Sequence, residues 1–281
     1  MFYLLIILIQ MKILLNNRML YEAIGSLNSV GFVPTMGGIH KGHISLINKS
    51  KKNCKKTLVS IFINPKQFNN KNDFKKYPSD INKDLYLLKK TNKVDFVYIP
   101  EFKDIYKSKK KSEITIKKKD KILCAKFRKG HFEGVLDVMD RLTKLIIPNK
   151  IFMGEKDYQQ LYLVKRFIEK KYKTRIIACN TIRAKNKYAL SSRNFLLNKI
   201  KLNKAGKIAK LLINFKKNLI KKENIQEILS SKKLEMEKNF DVKIEYLEAR
   251  REKDLSITNN IKKSRIFIAY YLDKVRLIDN F

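Results

Sequence analysis

The sequence predicts an α/β protein with a parallel, doubly wound sheet and a smaller α+β unit at its C-terminal end. In the first part of the chain, short β-branched and aromatic runs alternate with helix-like segments, which is typical of a parallel sheet. From Ser191 onward, the chain changes to long lysine-rich helical segments followed by two apolar runs. We therefore expect two domains, a larger α/β domain at residues 1–183 and a smaller domain at residues 184–281.

Five apolar runs are predicted to form the parallel sheet. Residues 57–63 are nearly all β-branched or apolar, as expected for a strand buried on both faces. The other four runs are residues 30–33, 94–99, 149–153 and 174–179. Helices are predicted between them at residues 43–52, 80–90, 135–146 and 157–169. We also expect a short strand at residues 113–116 and two C-terminal strands at residues 242–247 and 265–271.

The net charge of +37 is extreme and, taken alone, suggests a nucleic acid or an anionic membrane as partner. The lysines are spread over every segment, however, including the runs at residues 107–111 and 117–121, and they define no single basic face. We therefore expect no specific nucleic acid partner, and the charge favours anionic small molecules. With 44% hydrophobic residues, the chain has enough apolar side chains for a folded core.

Three widely separated cysteines, Cys54, Cys124 and Cys179, argue against a disulfide framework and for a reducing compartment. None of them belongs to a CxxC pair, so a cysteine-based zinc site is not expected.

The first nine residues are almost wholly apolar. This run is too short for a membrane span, and it lacks the basic flank and the cleavage site of a signal peptide. We therefore expect no membrane partner. Because Met11 is a plausible alternative start, we expect residues 1–10 to be dispensable.

The stretch GFVPTMGGIHKGH at residues 31–43 combines a strand end, a glycine turn and a helix start. The turn contains Gly37 and Gly38, and this arrangement brings a phosphate to free backbone N–H groups. His40 and His43 lie one helical turn apart, where two imidazoles can stabilise charge on an α-phosphate and a leaving pyrophosphate. Gly42 lets a base or ribose lie against the helix. On this stretch alone, a metal-binding histidine pair and two unrelated surface histidines remain alternatives.

Further polar clusters follow other predicted strands, at the sheet edge where open α/β proteins bind ligands. Asn64 and Gln67 are neutral amides that can orient hydroxyl and carboxylate groups, although an ordinary Asn-Pro turn is the alternative. Lys156 can reach a phosphate, and Asp157 can bind Mg²⁺ or a ribose hydroxyl. Gln160, one turn further on, suits a neutral polar substrate.

Two arginine-containing segments supply further candidate anion ligands. Ser191, Ser192 and Arg193 form a dense donor cluster at the domain junction, which can cap a triphosphate or, alternatively, a helix. Arg128, in the basic stretch before GHFEG, is a second candidate. His131 in that motif is as compatible with a packed structural role as with catalysis.

Together these stretches resemble one family, the pantothenate synthetases or pantoate–β-alanine ligases. The resemblance rests on VPTMGGIHKGH, SIFINPKQF, KGHFEGV, GEKDYQQL, LSSRN and RLIDN, which occur in the family's order and span nearly the whole chain after Gly31. It implies a Rossmann-like nucleotidyltransferase domain of the His-x-Gly-His type, a smaller C-terminal domain, a homodimer and a cytoplasmic location. It also implies that pantoate attacks ATP, in the presence of Mg²⁺, to give pantoyl adenylate and pyrophosphate. β-Alanine then forms pantothenate and releases AMP.

Carried over by position, the resemblance implies that His43 is the catalytic histidine with His40 as its partner, that Gln67 contacts pantoate and β-alanine, and that Gln160 contacts pantoate. The residues themselves add Lys156 as a catalytic candidate, Asn64 and Arg128 as substrate-binding candidates and Asp157 as the Mg²⁺ candidate. The resemblance further implies that ATP is bound by Met36, Gly37, Gly38, Ile39, His40, Lys41, Gly42, His43, Gly154, Glu155, Lys156, Asp157, Ile182, Leu190, Ser191, Ser192 and Arg193.

The chain departs from the family's pattern at two places. Ser79 stands where the family usually has arginine. The approach to LSSRN at residues 184–188, AKNKY, lacks the usual acidic residue and the Asp-Gly pair. Both departures bear on the geometry of these loops and on the rate of the reaction, and neither changes the core set of expected site residues.

Three rival classes can be compared with the same residues. A class I aminoacyl-tRNA synthetase shares the His-x-Gly-His turn, but the chain has no KMSKS-type loop and no room for an anticodon domain. A small adenylyltransferase for a cofactor precursor leaves NPKQF and GEKDYQQ unexplained. A non-catalytic basic protein predicts salt-sensitive RNA binding without ATP turnover.

Overall fold

The computed structural model describes residues 11–106, 113–219 and 224–281. Its main element is a parallel sheet of six strands, β1 (Lys12–Leu14), β2 (Val30–Thr35), β3 (Lys56–Ile61), β4 (Phe96–Tyr98), β5 (Lys150–Gly154) and β6 (Arg175–Cys179). The strands lie in the spatial order β1-β4-β3-β2-β5-β6, and every neighbouring pair is parallel. The predicted α/β class is therefore confirmed.

Helices connect the strands of this sheet and cover it. They are α1 (Asn17–Ile24), α2 (Lys41–Asn53), α3 (Lys71–Lys75), α4 (Ile81–Lys90), α5 (Phe102–Ile105), α6 (Cys124–Phe127), α7 (His131–Ile146) and α8 (Tyr158–Lys171). Short 3₁₀ turns lie at Pro65–Gln67, Lys118–Asp120, Glu155–Asp157 and Ser192–Leu196. Among the described helices, none is long and apolar enough to cross a bilayer.

The core lies on both faces of the sheet. Leu58 and Val59 are successive residues of β3, so their side chains point to opposite faces, and both are fully buried. Leu58 belongs to an apolar cluster with Leu142 of α7, and Val59 to a separate cluster with Ile47 of α2. Burying each such side chain contributes about 2 kcal/mol. The nearly continuous apolar pattern of this strand is explained by these two helical layers.

A second, antiparallel sheet follows in the C-terminal part of the chain. It contains β7 (Lys243–Arg251), β8 (Ser264–Leu272) and β9 (Val275–Asn280), with β8 in the centre. Two helices, α9 (Lys199–Asn218) and α10 (Ile225–Phe240), precede it and share an apolar cluster with one of its faces. The expected smaller α+β unit is present, and β8 also contributes Phe267 to the cluster of the parallel sheet.

Three elements differ from the expectation. Residues 113–116 have no strand, although Ile116 is buried in the core and Ile114 packs against the same cluster. β1 was not predicted, because a strand of only three residues is too short to show the alternating pattern of apolar and polar residues that identifies a strand. β9 was not predicted because its last two residues, Asp279 and Asn280, are polar, although both are buried. The expectations for residues 1–10 and 107–111 lie outside the described residues.

Candidate active site

A cleft lies at the carboxyl ends of β2, β3 and β5, where the strand order of the sheet reverses. The chain runs outward from β2 through β3 to β4, then returns to place β5 on the other side of β2. Open parallel sheets bind ligands at such a switch point. The predicted site residues that line the cleft are Met36, His40, Gly42, His43, Asn64, Gln67, Arg128, Gly154, Lys156, Asp157, Gln160, Ile182, Leu190, Ser191, Ser192 and Arg193.

Five predicted ATP-binding residues do not line the cleft. Ile39 is buried in the apolar cluster behind the turn. Lys41 is exposed at the start of α2. The carboxylate of Glu155 lies 3.0 Å from the guanidinium of Arg265 instead. The remaining two, Gly37 and Gly38, are packed against other protein groups.

The glycine turn is closed by a carboxylate of the protein itself. Gly37 and Gly38 have φ values of 82° and 64°, and in such a turn successive N–H groups converge on an anion. That anion is Asp84 of α4. The N–H of Gly38 donates to its Oδ2 at 2.8 Å, and the N–H of Ile39 donates to its Oδ1 at 2.7 Å. The expectation that this turn offers free N–H groups to a phosphate is therefore wrong for these two groups.

The two histidines of the turn form a close, tilted pair that lines the cleft. His40 is the N-cap of α2, and its Nδ1 accepts the N–H of Gly42 at 3.0 Å. The Nδ1 of His43 accepts the N–H of His40 at 3.3 Å. An accepting Nδ1 carries no proton, so the hydrogen of each neutral ring is on Nε2. With ring centroids 4.1 Å apart, the pair supplies two neighbouring Nε2–H donors.

Both imidazoles are held in the neutral form. Burial, followed by the nearby ammonium of Lys156, lowers the pKa of His40 to about 4. Burial lowers the pKa of His43 well below its usual range, and His40 and Lys156 add to the effect. At neutral pH the pair therefore donates hydrogen bonds without carrying positive charge.

The segment after β5 holds Lys156 beside the histidines. Its side chain is 17% exposed, and its Nζ lies 3.4 Å from the carboxylate of Asp157. Asn280, at the end of β9, donates through Nδ2 to the carbonyl oxygens of Glu155 at 2.8 Å and Lys156 at 2.9 Å. The C-terminal motif RLIDN thus fixes the backbone that carries Lys156, a contact that the sequence did not reveal.

The side-chain amides of Asn64 and Gln67, both in NPKQF, differ in how many of their hydrogen bonds are made to other protein groups. Asn64 is buried, and its Nδ2 donates to Gln67 Oε1 at 3.2 Å and to the carbonyl of Gly134 at 3.1 Å. Its Oδ1 accepts the hydroxyl of Tyr106 at 3.0 Å. The Nε2 of Gln67 donates to the sulfur of Met36, a weak acceptor, at 2.9 Å. Asn64 therefore orients the loop, while the Gln67 amide has hydrogens that a ligand can use.

His131 connects two of the candidate ligands. Its Nδ1–H donates to the carbonyl of Gln67 at 2.7 Å, and its Nε2 accepts Nη1–H of Arg128 at 2.8 Å. Burial, followed by the charge of Arg128, lowers the pKa of His131 to about 3. Because both ring nitrogens bind protein groups and the ring is neutral, this geometry favours the packed structural interpretation of His131 over the catalytic one.

The donor cluster at residues 191–193 caps a short helix and also reaches the glycine turn. Ser191 is the N-cap of the Ser192–Leu196 turn. The Oγ of Ser192 donates to the carbonyl of Gly38 at 3.0 Å. Arg193 pairs with Asp73 at 2.7 Å, and Arg128 lies 3.9 Å from the same carboxylate. Burial, followed by the charge of Arg193, lowers the pKa of Arg128 to about 10, so the Arg128 guanidinium stays cationic at neutral pH.

The fold and this cleft define a class, the Rossmann-like nucleotidyltransferases with a His-x-Gly-His turn. The chain belongs to the pantoate-beta-alanine ligase family, whose model matches residues 12–281. It is 40% identical over 262 residues to pantothenate synthetase from Clostridium botulinum, covering 90% of this chain and 91% of that protein. The enzyme from Sulfurihydrogenibium sp. is 36% identical over 262 residues, covering 89% and 91%.

Solved structures agree with this assignment. Pantothenate synthetase from Thermus thermophilus superimposes with a TM-score of 0.89 at 28% identity, covering 96% of this chain and 98% of that one. Pantoate-beta-alanine ligase from Francisella tularensis, solved in complex with beta-gamma ATP and beta-alanine, has a TM-score of 0.82 at 36% identity, with 97% of both chains covered. The family predicted by the sequence motifs is confirmed.

Proposed function

We propose that the protein joins pantoate to β-alanine in an ATP-dependent reaction that gives pantothenate, AMP and pyrophosphate through a pantoyl adenylate. The observation that carries this proposal is the meeting of His40, His43, Lys156 and Arg193 with the neutral amide of Gln67 in one cleft. Membership of the pantoate-beta-alanine ligase family supports the identity of the substrates. The ligands of the related Francisella tularensis enzyme, beta-gamma ATP and beta-alanine, support it further.

In the first step, a carboxylate oxygen of pantoate attacks the α-phosphorus of ATP, and the bond to pyrophosphate breaks. Negative charge grows on the α-phosphate oxygens and on the leaving oxygen. The Nε2–H groups of His40 and His43 donate to the α-phosphate, where neutral donors fixed in advance need no reorganisation. Lys156 and Arg193 supply the positive charge for the pyrophosphate.

Asp157 is the residue that we propose to hold Mg²⁺. Its side chain is 47% exposed at the cleft. Among the described residues, no group of three or more His, Cys, Asp or Glu side chains could enclose a metal ion. This donor set fits an ion that arrives with ATP, because Mg²⁺ commonly takes one or two carboxylates together with phosphate oxygens and waters. When bound, it would neutralise phosphate charge.

In the second step, the amine of β-alanine attacks the acyl carbon of the adenylate, loses a proton and releases AMP. The amide hydrogens of Gln67 serve a substrate carboxylate or hydroxyl, and Gln160 serves the pantoate hydroxyls. Val138 and Leu142 of α7 give the cleft an apolar wall. This wall suits the two methyl groups of pantoate and keeps water away from the mixed anhydride.

The proposal includes the assembly and location that the family resemblance implies. We propose a homodimer in the cytoplasm with ATP, pantoate and β-alanine as its partners and no specific nucleic acid. We also propose the domain division at residues 183 and 184, so that the smaller domain supplies Ser191, Ser192 and Arg193 to the cleft.

The test is pyrophosphate release from ATP with pantoate as the only added acid and without tRNA. We expect release on adding pantoate, and pantothenate with AMP once β-alanine is present. A folded protein that releases no pyrophosphate with pantoate would contradict the proposal. Release that requires tRNA would favour a synthetase, and tight, salt-sensitive RNA binding without turnover would favour the basic binding protein.

A further inference from the structure

Asp84 is a buried carboxylate that the cleft residues do not include, yet it contacts the glycine turn directly. It lies in the first turn of α4 and is 2% exposed. Each of its two oxygens accepts one backbone N–H, from Gly38 and from Ile39. A Cβ added to Gly37 would lie 2.8 Å from Oδ2, so the turn packs tightly on the carboxylate. The anion-binding concavity of the turn is therefore filled from within the protein.

The opposite side of the same turn is held by the C-terminal part of the chain. The Oγ of Ser192 donates to the carbonyl of Gly38, the residue whose N–H is bound by Asp84. A Cβ added to Gly38 would lie 2.9 Å from both Cβ and Oγ of Ser192. The peptide groups of this turn are thus fixed on their N–H side by Asp84 and on their C=O side by Ser192. His40 follows directly after this fixed segment.

We propose that Asp84 is a positioning residue for adenylation: it fills the glycine turn and so holds His40 and Ser192 in register over the cleft. Two N–H groups need two acceptors, which a carboxylate has and a carboxamide lacks. Asparagine would place its NH₂ group against one of the two N–H groups, so that the hydrogen bond from this N–H group would be lost. The proposal rests on the proposed function, because the step that it serves is the reaction of ATP.

Asp95 provides a matched control. It is 3% exposed, and its carboxylate likewise accepts a backbone N–H, from Thr57 at 2.8 Å. Lys51 and Lys56 lie 3.2 Å from it. Asp95 is not among the residues that line the cleft. If Asp84 only stabilised the fold, its replacement by asparagine should therefore have the same effects on Tm and KM as the replacement of Asp95.

The experiment compares Asp84→Asn with Asp95→Asn by steady-state kinetics and thermal unfolding. We expect Asp84→Asn to raise KM for ATP by about tenfold or more, because a small displacement of aligned groups is costly, while KM for β-alanine stays within about twofold. Asp95→Asn should lower Tm and leave both KM values unchanged. Equal behaviour of the two variants, with KM for ATP unchanged in both, would overturn the proposal.

Hydrogen exchange at the amides of Gly38 and Ile39 tests the same idea in the wild-type protein, and it requires neither catalysis nor a variant that folds. In the wild-type protein we expect slow exchange at both amides without ATP and no further slowing when ATP is added. Fast exchange that becomes slow only with ATP would show that the phosphate is the anion of this turn, and would overturn the proposal. Because this readout needs no turnover, it stays informative even if pantoate-dependent pyrophosphate release is not observed.

Discussion

Replacing His131 with asparagine should make the folding stability of this protein less sensitive to acid. The ring is 6% exposed and holds Gln67 and Arg128 through its two nitrogens. Burial, followed by the charge of Arg128, lowers its pKa from 6.5 to about 3. Asparagine keeps a donor for the carbonyl of Gln67 but does not titrate.

The sign and size of the effect follow from proton linkage. Between the unfolded pKa of 6.5 and the folded pKa of about 3, the unfolded ring binds a proton and the folded ring does not. The contribution of His131 to the free energy of unfolding is therefore fully present above pH 6.5, and it is lost progressively as the pH drops below that value. From about pH 7.5 to about pH 5, one such histidine accounts for a loss of about 2 kcal/mol.

Urea denaturation of the wild type and His131→Asn at about pH 7.5 and about pH 5 measures this quantity. The wild type should lose about 2 kcal/mol more than the variant between the two conditions. Titration of His40, His43, Asp84 and Asp279 is present in both proteins and cancels in the comparison. Equal losses in the two proteins would refute the reasoning, since His131 would then titrate alike in the folded and unfolded chains.

Three further outcomes are expected. His43→Ala removes one Nε2–H donor and should lower turnover by about 10²–10³-fold with little change in the free energy of unfolding; rates near wild type would remove His43 from the mechanism. Asn280→Ala removes two hydrogen bonds to the carbonyls of Glu155 and Lys156 and should raise KM for ATP by about tenfold, and an unchanged KM would show that this contact is not needed. A chain that starts at Met11 should keep full activity, and an insoluble or inactive product would show that residues 1–10 are required.

Much of the architecture could be predicted because it depends on local patterns. The apolar run that became β3 is buried on both faces by helices, and such a run is typical of a parallel sheet that is covered on both sides. Once the strands are parallel, their carboxyl ends share one edge. Lys156 and Gln67 could therefore be expected at one cleft although 89 positions separate them, since each follows a strand.

The contacts that hold the site could not be predicted in the same way. Asp84 has the position of an ordinary acidic residue in the first turn of a helix, and nothing in its spacing points to Gly38, 46 residues earlier. The glycine turn has the same sequence pattern whether its N–H groups meet a phosphate or a carboxylate of the protein. Asn280 is buried in β9, but its polar side chain and that of Asp279 give no sign of this burial in the sequence. In each case the partner is brought close only by the tertiary fold.

The central claim is that adenylation of pantoate at the His40–His43 pair precedes the attack of β-alanine. The most direct test is exchange of labelled pyrophosphate into ATP with pantoate present and β-alanine left out. The account predicts exchange that depends on pantoate and is largely lost in His43→Ala. Pantothenate formation without any such exchange, or with ADP instead of AMP as the product, would contradict it.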